Sequence, residues 1–141
     1  MPSAQLVNLA KIGRLKAEPA ARVELDGLIR SGSVRLKDAA IEKLSRESRF
    51  DLAYNAVHAL ALAALRWHGF RSENRYTVFL CLEHTIGLPP HEWRVLDHAH
   101  RKRNLAEYEG EIEIDDALVD ALVRVANDVR SRVIALVENR G

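Results

Sequence analysis

Residues 50–65 read FDLAYNAVHALALAAL, and this stretch decides the fold. Nearly every position is apolar, and alanine and leucine, which favour helices, dominate it. A helix that is apolar on all sides is expected to be buried, so other helices have to surround it. The stretch therefore predicts an all-α, up-and-down helical bundle with one long helix, expected over residues 47–67, at its centre.

Further helices are expected on both sides of this central helix. Apolar residues at helical spacing, interrupted by glycine or proline, predict helices over residues 3–17, 20–30, 34–44, 73–86, 90–108 and 115–139. Ser31, Gly32 and Ser33 are expected to separate the second helix from the third, with Ser33 as the N-cap of the third. No strand is expected, because β-branched residues never alternate with polar ones. The sequence thus predicts a single domain, residues 1–141, of about six to seven helices.

Composition excludes some classes of protein. The 141 residues include 21 basic and 20 acidic side chains, so any contact with nucleic acid has to come from a local patch. The single cysteine, Cys81, and an N-terminus interrupted by lysine and arginine favour a cytoplasmic protein without a signal peptide. The longest apolar run, residues 59–65, is far shorter than the ~20 residues that span a bilayer, so no membrane association is expected.

The central helix carries one polar stripe. Asp51, Asn55 and His58 are spaced i, i+4 and i+7, which puts them on one narrow face. Polar groups on a buried helix need partners, because an unsatisfied group costs roughly 1–3 kcal/mol. Two interpretations stay open for the stripe: a hydrogen-bond network in the core or a surface-reaching stripe, or the polar wall of a functional cleft.

The helix over residues 90–108 carries an arginine at the edge of its inward-facing side. Val95, Ala99 and Ala106 lie on that side, and Arg103 falls beside them. A guanidinium group cannot lose its charge, so it needs a carboxylate, carbonyl groups, a ligand phosphate or water. One interpretation pairs Arg103 with Glu107, one turn later on the same helix. The other makes Arg103 the second wall of the cleft, with His100 one turn before it.

Two segments resemble the HEPN superfamily. Residues 103–108, RNLAEY, are similar to that family's motif region, in which an arginine, often followed by asparagine, precedes a histidine by four to six residues. Residues 50–60 are similar to the family's Ala-rich, polar-spotted helix. The resemblance covers roughly residues 34–137 and leaves residues 1–32 outside the matched region. In this sequence Tyr108 stands where the family has its histidine.

The resemblance implies a HEPN-like homodimer that acts on RNA, with the motifs of two protomers facing one cleft. Many family members are metal-independent endoribonucleases of toxin–antitoxin or defence systems, and their partners include a cognate antitoxin or a nucleotidyltransferase. Arg103 would hold the phosphate and Asn104 would position it, while Tyr108 would donate a hydrogen bond. The spacing of His58 and His100, and not the resemblance, makes one of them the candidate that moves protons. Asp51, Asn55, Arg101 and Lys102 are expected to line the binding surface. No metal or cofactor is expected, because no histidine has the flanking residues of a zinc site.

Two alternatives stay open at this point. Because the motif histidine is replaced, the domain could be a catalytically inactive HEPN-like module that binds a nucleotide, RNA or a protein partner. It could also be a structural or regulatory dimer joined through its last helix, where apolar residues recur at near-heptad spacing from Leu118 to Leu136.

Overall fold

The computed structural model describes residues 3–110 and 113–138, and this part of the chain is almost entirely helical. Its helices are α1 (Ala4–Lys11), α2 (Arg22–Ala39), α3 (Arg46–Trp67), α4 (Arg75–Leu80), α5 (Leu82–Thr85), α6 (Pro90–Glu109) and α7 (Asp116–Glu138). One small antiparallel sheet pairs β1 (Lys16–Ala17) with β2 (Phe70–Arg71). The predicted all-α bundle is confirmed. No helix in residues 3–110 or 113–138 has both the length and the apolarity needed to cross a bilayer.

Helix α3 is the central element, as its apolar sequence predicts. It packs chiefly against α2 and α7, while α4, α5 and β2 also contact it and α6 lies against α7. Ser45 caps its start by accepting a hydrogen bond from the Ser48 amide at 3.1 Å. Gly69, with a φ of 88°, follows its end in the left-handed conformation that glycine adopts without strain. The predicted bounds, residues 47–67, differ from the observed ones by one residue.

The first predicted helix, residues 3–17, is wrong in its second half. Helix α1 ends at Lys11, and Gly13 turns the chain with a φ of 81°. Residues 16 and 17 then form β1, in which Ala17 pairs with Phe70. A two-residue strand is too short to leave an alternating pattern in the sequence, which is why no strand was expected.

The predicted break at residues 31–33 is also wrong, since α2 runs unbroken from Arg22 to Ala39. Gly32 lies buried inside α2 and faces α3, where a Cβ atom would come within 2.6 Å of Leu60 Cγ. The glycine is therefore there for the close approach of two helices rather than to end one. Ser33 is not an N-cap, and its hydroxyl accepts a hydrogen bond from Arg130 Nε at 2.7 Å.

Gly32→Ala is expected to lower the free energy of unfolding by about 1–3 kcal/mol, because the added methyl group overpacks the contact between α2 and α3. Gly27 lies on the same helix with open space around its Cα, so Gly27→Ala is expected to stabilise the protein by up to about 1 kcal/mol. Urea denaturation of both variants measures the difference. Equal effects of the two substitutions would contradict the packing role of Gly32.

The C-terminal half follows the predictions more closely. The helix expected over residues 73–86 forms as α4 and α5, which meet at Cys81. Helix α6 ends at Gly110, which has a φ of 78°. Asp115 accepts a hydrogen bond from the Leu118 amide at 2.8 Å and so begins α7. The predicted last residue of that helix, Asn139, lies outside the described residues.

Candidate functional site

The polar stripe of α3 lies along the side of the bundle where α4 and α6 meet it. Asp51 is exposed, and Asn55 donates a hydrogen bond from Nδ2 to the Asp51 carbonyl oxygen at 2.9 Å within the same helix. His58 is half-buried, with its ring edge-on to Phe79 at a centroid distance of 6.0 Å. The stripe therefore reaches from the surface at Asp51 into the protein at His58.

Arg103 of α6 reaches this stripe. Its Nη1 donates to Asp51 Oδ1 at 3.0 Å, and its Cζ lies 4.8 Å from the centroid of the Tyr54 ring. Its side chain is 25% exposed, and its Nε is buried without an acceptor among the described residues. The carboxylate that pairs with Arg103 is thus Asp51 on α3, and not Glu107 on its own helix. Sequence reasoning expected Arg103 and the stripe to share one cleft, and the structure brings them together.

His100 connects α6 to the same tyrosine. Its Nδ1 lies 2.8 Å from the Tyr54 hydroxyl, and its Nε2 lies 3.1 Å from Asn104 Nδ2. An amide nitrogen only donates, so Nε2 accepts and the ring proton is on Nδ1, which donates to the tyrosine oxygen. Burial lowers the pKa of His100 below its ordinary value; Asp97 opposes this, and the charges of Arg75, Arg101 and Arg103 add to it. The imidazole is consequently neutral at pH 7.

Arg75 and Tyr76, at the start of α4, complete the site. Arg75 Cζ lies 5.5 Å from the Tyr54 centroid, and the Tyr76 ring lies 4.9 Å from the His100 ring. Sequence reasoning missed both residues, because their contacts join segments far apart in the chain. Tyr54 counts in the sequence only as one of the apolar positions of the central helix, and it is indeed buried. Its hydroxyl contacts His100, and its ring contacts Arg75 and Arg103.

We call Asp51, Tyr54, Arg75, His100 and Arg103 the Tyr54 cluster. Two guanidinium groups lie within 5.5 Å of one tyrosine ring centroid, and Asp51 is the carboxylate of the cluster. Burial raises the pKa of Tyr54, so its hydroxyl stays neutral despite the nearby arginines. The cluster holds two cations, one anion, a neutral imidazole and a neutral phenol, and the carboxylates of Asp97 and Glu107 lie close enough to act on His100 and Tyr54. Its two guanidinium groups are the part that suits an anionic ligand.

Other predicted site residues lie outside the cluster. Arg101 is exposed and pairs with Asp97 at 3.2 Å on its own helix. Lys102 lines a separate groove with Arg46 and His98. Tyr108 is 90% exposed and makes almost no contact with the described chain. Five residues along a helix correspond to about 500° of rotation, so Tyr108 points well away from the side that carries Arg103.

Asn104 adjoins the cluster through its hydrogen bond to His100, and it is exposed. His58 approaches the cluster through Phe79, which is edge-on to both His58 and Tyr54. Of the nine predicted site residues, the structure thus gathers Asp51, His100 and Arg103 directly and places Asn55, His58 and Asn104 beside them. No group of three or more His, Cys, Asp or Glu side chains within the described ranges is arranged to hold a metal ion.

His58 is expected to make the protein less stable in acid. Burial, together with the charge of Arg75, lowers the pKa of His58 from 6.5 to about 4. The unfolded chain therefore binds a proton between these two values that the folded chain does not, and stability falls as the pH falls through that window. His58→Gln removes this proton, so its free energy of unfolding should fall less than that of the wild type over the same window. If the free energy of unfolding falls equally in the wild type and in His58→Gln between pH 6.5 and about 4, the burial of a neutral His58 imidazole is contradicted.

Comparisons of the chain with protein-family models, with curated proteins and with solved structures find no match. The resemblance to the HEPN superfamily rests on residues 50–60 and 103–108 and stays a prediction.

Proposed function

We propose that this chain is a HEPN-like, RNA-associated protein that binds a phosphodiester group of single-stranded RNA at the Tyr54 cluster. One observation carries the proposal: Arg75 and Arg103, from two different helices, place their guanidinium groups over one buried tyrosine ring beside a neutral histidine. Guanidinium groups bind phosphate oxygens in a fixed, often bidentate geometry. These two guanidinium groups are the local phosphate-binding feature on which the proposal rests.

Asp51 is the natural competitor of an incoming phosphate. Its side chain is 59% exposed, and it bonds one nitrogen of Arg103. An ion pair this close to solvent contributes about 0–1 kcal/mol, so exchanging a carboxylate for a phosphate at Arg103 costs little. The cluster can accept an anion without dismantling the core beneath it.

Aromatic rings beside the cluster favour a nucleic acid over inorganic phosphate. Tyr76 and Trp93 are both partly exposed, and their ring centroids are 5.9 Å apart. Bases of single-stranded nucleic acids stack on such rings without sequence preference. RNA, rather than DNA, is proposed because of the resemblance of residues 103–108 to the HEPN motif.

A second candidate function is metal-independent cleavage of the bound RNA, and the tautomer of His100 favours it. The basic nitrogen, Nε2, lies on the exposed side and is covered by the Asn104 amide, whereas Nδ1 is held by Tyr54. A neutral imidazole in this orientation can take the proton from a ribose 2′-hydroxyl as that oxygen attacks the adjacent phosphorus. The bond from phosphorus to the 5′-oxygen then breaks, which leaves a 2′,3′-cyclic phosphate on one fragment, and the departing 5′-oxygen takes a proton from water. Arg103 would stabilise the charge that develops on the phosphate oxygens. Sequence reasoning expected Tyr108 to share this task, and here His100 takes it.

The proposal is tested by adding fluorescent oligouridine to the protein at low salt and following anisotropy. Wild-type protein should bind, and Arg75→Ala should weaken binding. Arg22→Ala removes the same charge from an exposed position on α2, where Arg22 pairs with Asp26, and should leave affinity unchanged. Binding that Arg75→Ala and Arg22→Ala reduce equally would show unspecific attraction and contradict the site.

Cleavage is tested separately by gel analysis of a mixed RNA substrate incubated in EDTA. His100→Gln should abolish cleavage but retain binding. Binding without cleavage by the wild type would make the domain the inactive, RNA-binding alternative.

The resemblance also implies a homodimer and, in toxin–antitoxin systems, a cognate antitoxin or nucleotidyltransferase as partner. Light scattering at high micromolar concentration should then give the mass of two chains. A monomer mass at that concentration would contradict both a cleft shared by two protomers and a dimer joined through α7.

A further inference from the structure

A basic groove runs beside the first turn of α4, outside the Tyr54 cluster. It has a volume of about 570 Å³. The turn at Gly13 and strand β1 bring Arg14 and Lys16 to its wall, and β2 brings Arg71. The two strands of the small sheet and the turn before β1 thus bring three positively charged side chains to one groove.

The charges of this groove are only partly neutralised. Arg71 donates to Glu18 Oε2 at 3.1 Å, and Glu73 is the carboxylate on the groove wall. In the described part of the chain, no carboxylate forms an ion pair with Arg14 or Lys16, and both side chains are exposed. Ser72 and Asn74 add polar groups. The wall can therefore bind an anion through two cations without first breaking an ion pair.

Helix α4 joins this groove to the Tyr54 cluster. Asn74 and Thr77 line the groove, whereas Arg75 and Tyr76, which lie between them in the sequence, contact the cluster. At about 100° of rotation per residue, Arg75 and Tyr76 project from a different side of this short helix than Asn74 and Thr77, so the groove and the cluster lie on two sides of the first turn of α4. A ligand with several phosphates can reach from one to the other across α4.

We infer that the groove binds the next phosphates of the RNA strand whose first phosphate lies at the Tyr54 cluster. The inference rests on the proposed function and adds the path of the strand to it. Proteins that bind single strands track the backbone with a positively charged groove and stack bases on aromatic rings. Here Arg14 and Lys16 supply the groove, and Tyr76 stands where the strand crosses α4.

The test compares a uridine dinucleotide, which fills only the cluster, with an oligouridine of about ten nucleotides, which is long enough to fill both sites. The double variant Arg14→Ala, Lys16→Ala is expected to lower affinity for the longer RNA roughly tenfold at low salt. It should also lower the slope of log affinity against log salt by about 1.4, since each phosphate that the protein neutralises on a single strand adds about 0.7 to that slope. Affinity for the dinucleotide should stay the same.

A matched double variant, Arg22→Ala, Lys43→Ala, removes one exposed arginine and one exposed lysine elsewhere and should bind both RNAs like the wild type. If Arg103→Ala lowers the affinity for both RNAs but the Arg14, Lys16 double variant lowers neither affinity, the groove does not bind the strand, and the phosphate site at the Tyr54 cluster is retained. If the two double variants weaken the longer RNA equally, the groove adds only unspecific charge and the inference fails. If the wild type binds neither RNA, the proposed function itself fails.

Discussion

Replacing Arg103 with alanine is expected to weaken the binding of single-stranded oligouridine roughly 10- to 100-fold, which corresponds to the loss of about 1.5–3 kcal/mol of charge-assisted hydrogen bonding. Arg103 is the member of the Tyr54 cluster that carries both a solvent-accessible ion pair, with Asp51, and a cation–π contact, with Tyr54. Because a phosphate would take the place of the Asp51 carboxylate at Arg103 Nη1, removing the guanidinium is expected to remove the charge-assisted hydrogen bonds that the phosphate accepts.

Two variants separate this effect from simpler causes. Arg103→Lys keeps the charge but loses the planar fork, so it should recover only part of the affinity. Asp51→Asn removes the competing carboxylate and should raise affinity. The free energy of unfolding should change by about 1 kcal/mol or less in Arg103→Ala, because the Asp51 carboxylate is 59% exposed and is rehydrated when the pair is lost. Full affinity in Arg103→Ala, or higher affinity in Arg103→Ala than in Asp51→Asn, would contradict a phosphate site at Arg103.

Replacing Arg66 with methionine is expected to cost about 3 kcal/mol of stability, because it removes several hydrogen bonds of one guanidinium group that contribute about 1 kcal/mol each. The Arg66 side chain is 4% exposed and donates from Nε to Glu24 at 2.6 Å. It also donates to the backbone carbonyl oxygens of Glu18 at 2.7 Å and Pro19 at 3.1 Å. One buried guanidinium thus fastens α2 and the segment before it to the end of α3.

Arg71 offers a matched control, because its side chain is 42% exposed and it pairs with Glu18 at 3.1 Å. Arg71→Met should cost less than about 1 kcal/mol.

The hydrogen bond from Arg66 lowers the pKa of Glu24 below 4.5, although burial opposes it. The folded chain therefore gains stability from this carboxylate above pH 4.5 and loses it as the pH falls through the lower, folded value. Urea denaturation across that pH range should show the acid-induced loss of stability in the wild type and not in Arg66→Met. If Arg66→Met and Arg71→Met lower the free energy of unfolding equally at neutral pH, Arg66 does not hold α2 and α3 together.

The fold was largely predictable because the dominant signal is local. The apolar stretch at residues 50–65 requires burial, and Gly69 and Gly110 end helices through their own backbone conformation. Gly32 misled the prediction because the same residue type can end a helix or let two helices approach. Only the position of Leu60, on another helix, decides between the two roles.

The candidate site was predictable only along single helices. Helical spacing placed Asp51 and His58 on one stripe and set His100 one turn before Arg103. The sequence predicts that Asp51 and Arg103 face one cleft. It does not determine that they contact each other, because they lie on two different helices. Arg75 was missed because its contact partner, Tyr54, lies 21 residues earlier in the sequence and on a different helix. No local pattern encodes that distance.

The most direct measurement of the Tyr54 cluster is an NMR titration of the labelled protein with oligouridine, observed at the arginine Nε–H resonances. Arg103 Nε has no acceptor in the described part of the chain, whereas Arg66 Nε is bound to Glu24. A phosphate site at the Tyr54 cluster predicts saturable shifts of the Arg103 and Arg75 resonances with a single affinity, while the Arg66 resonance stays in place. Saturable RNA binding that leaves the Arg103 and Arg75 resonances unmoved would contradict that site.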